Sequence, residues 1–240
     1  MSGMLLYGCS HPPPLTEQHN AASVTARLKS RADSVASAAY RIRWRSIGTG
    51  PHAEFIMEIA YRAPGRFRIA ATGPFGVPAF TAVVIGDAFW FVDHHDGRYV
   101  SDQMANLGTY DIPAAEFFAT AWRYLFAGGW GGDPNLADLE SGGNPDELRA
   151  SGTVTDWVIK WDWRHQVPKK VTAVDAADPR RVLAEVWFDR TGKRFPYWEI
   201  NRLRIRDLKE GGEHKWTLLK QKYNIPLPDR LFEPLRPPRR

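Results

Sequence analysis

The chain has 240 residues, a length that suits one main all-β domain, and no stretch between residues 38 and 224 has the composition of a linker. Its net charge of +5 favours contact with polyanions or acidic lipid surfaces, and its single cysteine, Cys9, excludes an internal disulfide. Aromatic residues make up 12% of the chain, and many alternate with polar residues, as is typical of β-strands. No run reaches the roughly 18 apolar residues that a membrane-spanning helix needs.

The first residues contain the segment Leu6-Tyr7-Gly8-Cys9, which resembles a bacterial lipobox, the site where a cysteine is exposed by cleavage and diacylated. We therefore predict that residues 1–9 are the remnant of a lipoprotein signal, with Cys9 as lipid anchor, and that residues 10–19 are an extended tether. The apolar part, about four residues, is shorter than the 7 to 15 of a signal peptide. The alternative is a chance match around an incidental thiol.

Apolar residues at three- and four-residue steps between Leu15 and Ala39 predict one amphipathic helix ahead of a sheet. Strand patterns follow in close succession, with short hairpin turns at 86–87 and 96–97. The predicted strands of this first half are 39–47, 53–62, 66–72, 79–85, 88–93 and 98–102. A second, aromatic helix is then predicted from Pro113 to residue 127, ahead of two glycines.

Residues 130–152 are rich in Gly, Asp and Pro, a composition typical of a surface loop. Further strands are predicted at 156–163, 168–175, 181–189, 197–208 and 214–223. About eleven antiparallel strands without βαβ spacing predict a mainly β fold with some α, a strongly curved sheet or barrel with the aromatic helix as a cover. The domain is placed at residues 20–226 and a Pro/Arg-rich tail at 227–240, of which the extreme end, 236–240, is predicted to be disordered.

Enzyme signatures are mostly absent: the sequence has no glycine-rich phosphate loop, no G-x-S-x-G, no H-E-x-x-H and no Cys/His pair. The strongest candidate for a metal cluster is DHHDG at 93–97. Strand alternation and the preference of hairpin ends for Asp and Gly favour a solvated turn there. We predict no catalytic residue, no metal and no cofactor, with a hydrolase or metal enzyme built on DHHDG as a remote alternative.

Two predicted strands carry arginines at every second position. The two trios are Arg41, Arg43 and Arg45, and Arg202, Arg204 and Arg206. Alternation places each trio on one face of its strand and the apolar neighbours on the other. Grooves that bind nucleic acid interleave aromatic rings with cations on the same face, so we predict no nucleic-acid partner. A solvated outer face is the default interpretation, and contact with anionic lipid headgroups is the alternative.

Aromatic residues on the opposite parity either form an ordinary core or line an apolar cavity beneath the helix at 113–127. In one strand, Trp157, Trp161 and Trp163 share a parity, and further tryptophans lie in other strands. The candidates for the cavity and its lid are Trp44, Phe67, Phe80, Trp90, Phe117, Trp122, Leu125, Trp161 and Trp187.

The segment ATGPFGVPAF, residues 71–80, places a large apolar ring, Phe75, in a turn between two predicted strands. Together with neighbouring motifs, it resembles the LolA/LolB lipoprotein-localisation superfamily, and in particular LolB-like outer-membrane lipoproteins. The motifs are Arg62-Ala63-Pro64-Gly65-Arg66-Phe67-Arg68, Pro74-Phe75-Gly76, Asp96-Gly97-Arg98-Tyr99 and Ile112-Pro113. The resemblance covers residues 20–127 well and later strands in pattern only, and Arg62 is displaced by one position from the usual Arg-Pro pair.

This resemblance implies a half-open barrel lidded by helices, whose apolar interior takes the acyl chains of lipoproteins and passes them into the outer membrane. It implies an outer-membrane, lipid-anchored location facing the periplasm. The implied partners are lipoproteins and their acyl chains, a periplasmic lipoprotein carrier and outer-membrane lipid. Phe75, flanked by Pro74 and Gly76, would protrude and enter the membrane; the alternative is a ring folded back onto the core. The competing function is a structural or assembly lipoprotein of the envelope that binds a peptide or another hydrophobic component.

Overall fold

The computed structural model describes residues 20–47, 53–110, 139–151, 155–163, 167–194, 197–207 and 212–238. Within these ranges the chain forms one α-helix, α1 (Ala21–Ser34), and thirteen β-strands. The strands are β1 Ser37–Ile47, β2 Glu54–Arg62, β3 Arg66–Thr72, β4 Pro78–Ile85, β5 Ala88–Asp93, β6 Tyr99–Gln103, β7 Glu140–Ser141, β8 Glu147–Ala150, β9 Thr155–Asp162, β10 Val167–Asp175, β11 Val182–Arg194, β12 Tyr197–Asp207 and β13 Glu213–Tyr223. None of the helices described here has the length and apolar character needed to cross a membrane.

All the strands belong to one sheet, in the order β6-β5-β4-β3-β2-β1-β13-β12-β11-β10-β9-β8-β7. Neighbours throughout are antiparallel, and β6 and β7 are the two edges, so the sheet is open. The prediction of a mainly β, antiparallel fold is confirmed. The count of about eleven strands is wrong, because β7 and β8 lie inside the stretch 130–152 that its composition assigned to a loop. The predicted lid helix at 113–127 lies outside the described residues.

One face of the sheet is buried and the other is largely polar. We call the face that carries Trp44 the inner face and the opposite one the outer face. The strand register aligns buried side chains across the inner face, since Trp44 pairs with Trp216 of β13 and Ile59 of β2 pairs with Ile69 of β3. All four are at most 7% exposed and belong to one hydrophobic cluster. Burial of each such side chain stabilises the fold by about 1.5 to 3 kcal/mol.

Helix α1 begins at a side-chain cap and packs against the inner core. Asn20 Oδ1 accepts a hydrogen bond from the backbone N–H of Ser23 at 2.8 Å, which satisfies one of the free donors of the first turn. Ala21 and Val24 are buried in the same cluster as the inner face of the sheet. The helix ends at Ser34 and β1 begins at Ser37, so the last residues of the predicted stretch 15–39 form a strand, and residues 15–19 lie outside the described residues.

Residues 225–238, which we call the C-terminal strap, pack on the outer face of the sheet. The chain enters the strap through Asn224, whose left-handed φ of 49° turns it back from β13. Ser37 Oγ donates to Ile225 O at 2.6 Å, and Tyr99 OH donates to Leu235 O at 3.1 Å. Phe232 is only 3% exposed. The strap therefore belongs to the packed domain, in contrast to the tail expected beyond residue 226.

Arg62 holds the middle of the C-terminal strap. Its guanidinium donates to the Asp229 carboxylate and to Leu227 O, and it lies 4.9 Å from the centroid of the Phe232 ring. The hydrogen bond from Arg62, followed by the charge of Arg62, lowers the pKa of Asp229 below its ordinary value. Arg62, the arginine displaced by one position in the sequence motif, thus fastens the strap to the end of β2.

This pair predicts a pH-dependent contribution to stability. A lowered pKa means that the contribution is complete above the pKa of the unfolded carboxyl, about 3.9, and is lost as the pH falls through the folded value. We expect Asp229→Asn to unfold at lower urea concentration than the wild type at pH 7, with the difference closing toward pH 3. Glu233→Gln, an exposed change on the same strap, is the control and should match the wild type at every pH. A difference for Asp229→Asn that stays constant with pH would contradict the role of the ion pair.

Candidate functional site

The turn between β3 and β4 is tightly closed and holds Phe75 at its tip. The N–H of Gly73 donates to Val77 O at 2.8 Å, and the N–H of Val77 donates to Pro74 O at 3.4 Å. Phe75 has a left-handed backbone, with φ 61° and ψ 16°, and its side chain is fully exposed. For a residue with a side chain, this conformation costs about 1 to 2 kcal/mol. The turn therefore directs a large apolar ring into solvent, with no packing gain from burial.

Other exposed apolar side chains lie at the same end of the sheet, which we call the tip end. The antiparallel register brings the last residues of β1 and β3 to this end, together with the first residues of β2 and β4. Val77 is 61% exposed and Ile47, at the end of β1, is 42% exposed. Only Leu219, among the large apolar side chains exposed in the described ranges, lies elsewhere. An apolar end of this kind is typical of a surface that contacts another apolar phase.

A row of aromatic rings leads from the tip end along the inner face. Trp44 stacks on Phe55 with ring centroids 5.1 Å apart, and on its other side it stacks on His214 at 5.3 Å. Phe55 meets Phe80 edge-on at 6.1 Å, and Phe80 packs against Phe91 at 5.7 Å. We call these five residues the aromatic row. Aromatic pairs of this geometry each contribute about 0.5 to 1.5 kcal/mol beyond burial, so the row is also a rigid element.

The turn rests directly on this row. A Cβ atom placed on Gly73 would lie 3.9 Å from the Phe55 ring, so Gly73 faces the first ring of the row at close range. Sequence reasoning did not single out Phe55 or His214. The alternation pattern of β2 could have identified Phe55, because Phe55 lies on the same face of the strand as Met57 and Ile59. His214 was harder to find because its place depends on the pairing of β13 with β1, far apart in sequence.

Four of the predicted cavity residues lie together on the inner face. Trp44, Phe67, Phe80 and Trp161 are all buried, with exposures between 2 and 7%. The strand register shows that they share this face with Ile59 and Ile69 across the neighbouring strands. These residues are therefore available to line an interior under the sheet.

Trp90 and Trp187 lie on the outer face, so their assignment to the cavity is corrected. Trp90 lies between the buried Phe89 and Phe91 in β5, and alternation turns its side chain to the opposite face. Trp187 likewise follows the buried Val186 of β11. Its ring lies 5.1 Å from Lys170 Nζ and 5.2 Å from Arg204 Cζ, so cations cover it. The aromatic character of these residues suggested an interior role that their parity does not allow.

Other predicted site residues lie outside the described ranges. These are the proposed lipid anchor Cys9 and the lid candidates Phe117, Trp122 and Leu125. Their roles remain predictions.

The DHHDG segment forms the turn between β5 and β6. Asp93 Oδ1 accepts the backbone N–H of His95 at 2.8 Å, and Asp96 Oδ1 accepts that of Arg98 at 2.8 Å. His94 Nε2 lies 2.9 Å from Thr81 Oγ1. Within the described ranges, no group of three His, Cys, Asp or Glu side chains has the arrangement of a metal site. The side chains of this segment thus serve the turn itself.

The arginine trios lie on the outer face, as alternation predicts. Arg45 donates to Glu54 at 2.8 Å, and Arg41 lies 3.8 Å from Glu58. Arg204 pairs with Lys215 in the register between β12 and β13, and Lys215 pairs with Arg45 of β1. The cations of the two trios thus form one basic surface across the centre of the sheet.

No protein-family model matches the chain, and no curated relative matches it. Solved structures do share its fold. A DUF1329 family protein from Desulfovibrio piger is 11% identical with a TM-score of 0.65, over 88% of this chain and 95% of the other. A Vibrio parahaemolyticus domain described as an outer-membrane lipoprotein-sorting protein is 13% identical with a TM-score of 0.66, over 88% and 95%. A LolA superfamily protein from Nitrosomonas europaea is 14% identical with a TM-score of 0.61, over 89% and 97%.

These likenesses concern the fold. They show that the chain shares the fold of a LolA superfamily protein and of a lipoprotein-sorting domain, in agreement with the fold that the sequence resemblance implied. The basis of comparison is the whole open sheet, since the matches cover nearly all of each chain.

The exposed Phe75 predicts an unusual response to mutation. Phe75→Gly should leave the free energy of unfolding unchanged or raise it by up to about 1 kcal/mol, because glycine relieves the left-handed strain and no contact is lost. Phe80→Ala, in the buried aromatic row, should lower it by about 3 to 5 kcal/mol. Urea unfolding followed by circular dichroism measures both. A loss of stability in Phe75→Gly comparable to that in Phe80→Ala would show that the ring packs onto the domain.

Proposed function

We propose that this protein binds the acyl chains of lipoproteins under the inner face of its sheet and inserts them into the outer membrane. One observation carries the proposal: a fully exposed phenylalanine, held at a conformational cost, lies at the end of an aromatic row whose members Trp44, Phe80 and Phe91 are buried. The exposed ring offers contact with a membrane, and the row offers an apolar surface leading from that contact to the interior.

The chemistry of an acyl chain asks only for an apolar surface. Each CH₂ group moved from water into such a surface gains about 0.8 kcal/mol, so no catalytic group is needed for binding. The inner face has this character. Burial raises the pKa of Tyr61 and, more strongly, that of Tyr40, for which the neighbouring Tyr223 adds to the effect. A surface that disfavours charge to this degree suits hydrocarbon and excludes a charged ligand.

The geometry of the tip end supports a role in membrane contact. Phe75 would enter the interface together with Val77, while Pro74 and Gly76 fix the turn that presents them. Aromatic rings are favoured at the headgroup level of a bilayer. Once the ring is inserted, the aromatic row would open toward the bilayer, a deeper apolar phase that can receive the chains.

The proposal includes the location and partners that the sequence suggests. Cys9 would carry the lipid anchor, residues 10–19 would tether the domain, and the protein would face the periplasm at the outer membrane. It would receive lipoproteins from a periplasmic carrier and release them into outer-membrane lipid. No enzymatic step, cofactor or nucleic acid enters this scheme.

A structural or assembly lipoprotein that binds a peptide or another hydrophobic envelope component is the second candidate. The observation in its favour is the depth of burial on the inner face, where Trp161 and Trp216 are each 2% exposed. A filled interior would have the same property. The two functions differ in their prediction for Phe75: lipid transfer requires an apolar side chain at this position only in the first.

We therefore expect Phe75→Glu to abolish most insertion of a triacylated lipoprotein into liposomes, because a carboxylate resists entry into the membrane interface. Phe75→Leu is the matched control and should retain insertion, since it keeps an apolar tip at the same position. The measurement is the fraction of lipoprotein that floats with the liposomes after incubation with the full chain. Equal insertion by Phe75→Glu and the wild type, with folding intact, would rule out the membrane role of the tip.

A further inference from the structure

A pocket lies on the outer face, between the sheet and the C-terminal strap, and it has a different chemistry from the inner face. Its volume is about 360 Å³, within the range of sites for small ligands. It is lined by side chains from β1, β2, β3 and β13 on the sheet side and by Leu227 and Leu231 on the strap side. The function proposed above makes no use of this pocket.

The pocket exists because three alanines from neighbouring strands lie close together. Ala39 of β1 pairs with Ala60 of β2. Ala70 of β3 pairs with Glu58 of β2, which lies two residues before Ala60 on the same face. All three point to the outer face, where longer side chains would fill the space under the strap. The methyl groups form an apolar floor, and the two strap leucines form an apolar wall.

Cations surround this apolar floor. Ala39 pairs with Lys222, Arg41 pairs with Lys220, and Ala60 pairs with Arg68, so cations stand on both sides of the alanines. Four cations and a single carboxylate, that of Glu58, line the pocket. Glu58 Oε1 lies 3.8 Å from Arg41 Nε, so this carboxylate forms an ion pair with one of the four cations. In the described part of the chain, Arg68, Lys220 and Lys222 have no acidic side chain within ion-pair distance.

Arg68 is the most buried cation of the pocket, since Arg41, Lys220 and Lys222 are exposed. Its side chain is half-buried between the floor and the outer-face residues of β4, where it pairs in register with Val83. Burial lowers the pKa of Arg68 from its ordinary value, which leaves the guanidinium charged near neutral pH. A half-buried guanidinium is costly unless an anion approaches it, and its planar donors fit the oxygens of a phosphate.

We infer that this outer-face pocket binds a phosphate monoester that carries a short apolar group. The phosphate would lie against Arg68, with Lys220 and Lys222 across the floor adding to the positive potential, and the apolar group would lie on the alanine floor against Leu227 and Leu231. The excess of three positive charges favours a phosphate dianion over a single carboxylate. Such a group occurs in free organophosphates and in the headgroup of phosphatidic acid, and the chemistry of the site is the same for both.

The test uses hexyl phosphate as probe and isothermal titration calorimetry of the full chain. We expect saturable one-to-one binding, with inorganic phosphate binding more weakly because it lacks the apolar group and hexanol not binding. Arg68→Gln should weaken hexyl phosphate about tenfold, the effect of losing one charge-assisted contact. Arg45→Gln is the matched control: it removes the same charge from the outer face of β1, outside the pocket, and should bind like the wild type.

A second variant tests the apolar floor, because Ala60→Leu would occupy it and should also weaken hexyl phosphate. If Ala60→Leu does not fold, Lys222→Gln, at an exposed position, tests the positive charge of the pocket independently of Arg68 and should also weaken hexyl phosphate. Vesicles of phosphatidylcholine with and without phosphatidic acid identify the source. Binding to the phosphatidic acid vesicles that is lost in Arg68→Gln assigns the site to a headgroup, and Arg68-dependent binding of hexyl phosphate alone assigns it to a free organophosphate. Absence of saturable binding, or equal affinity in the wild type, Arg68→Gln and Ala60→Leu, would overturn the inference.

Because the pocket and the inner face are on opposite sides of the sheet, the two proposals fail separately. Loss of hexyl phosphate binding in Arg68→Gln should leave lipoprotein insertion unchanged. Phe75→Glu should in turn leave hexyl phosphate binding unchanged.

Discussion

The pairing of β1 with β13 is the constraint on which the rest of the structure depends. Each half of the described sheet is a succession of neighbours along the chain, and this pairing joins the halves across about 170 residues of sequence. It runs from Ala38 opposite Tyr223 to Ile47 opposite Glu213 and places Trp44 directly against Trp216. Without it, the aromatic row would lose His214 and the outer pocket would lose its two lysines.

Alternation along these strands gives the two faces opposite chemistries. On the inner face, rings and aliphatic side chains exclude water and raise tyrosine pKa values. On the outer face, arginines and lysines dominate, and the C-terminal strap covers one apolar patch around Val83. A sheet built in this way can hold a hydrocarbon ligand on one side and an anionic one on the other. The tip end, with Phe75, lies where the inner face reaches the ends of β1 and β3 and the beginnings of β2 and β4.

Local sequence patterns predicted much of this architecture. They failed where the structure depends on contacts between residues far apart in sequence. The eleven longer strands and the face of each arginine trio followed from alternation, which depends only on neighbours. The short strands β7 and β8 were missed because two to four residues carry too little pattern inside a glycine-rich stretch. Trp90 and Trp187 were assigned by residue type where parity pointed the other way. The strap and the pocket beneath it were out of reach, since they arise from contacts between segments far apart.

Binding of acyl chains by the inner face is tested most directly by tryptophan fluorescence quenching. The quencher is a triacylated lipopeptide with brominated chains. The full chain with Cys9 replaced by serine would be titrated alongside Trp44→Phe on the inner face and Trp187→Phe on the outer face, each a conservative change. Acyl chains bound on the inner face should give saturable quenching that decreases in Trp44→Phe and is retained in Trp187→Phe. Absence of quenching in the folded protein, or quenching lost only with Trp187, would contradict binding at the inner face.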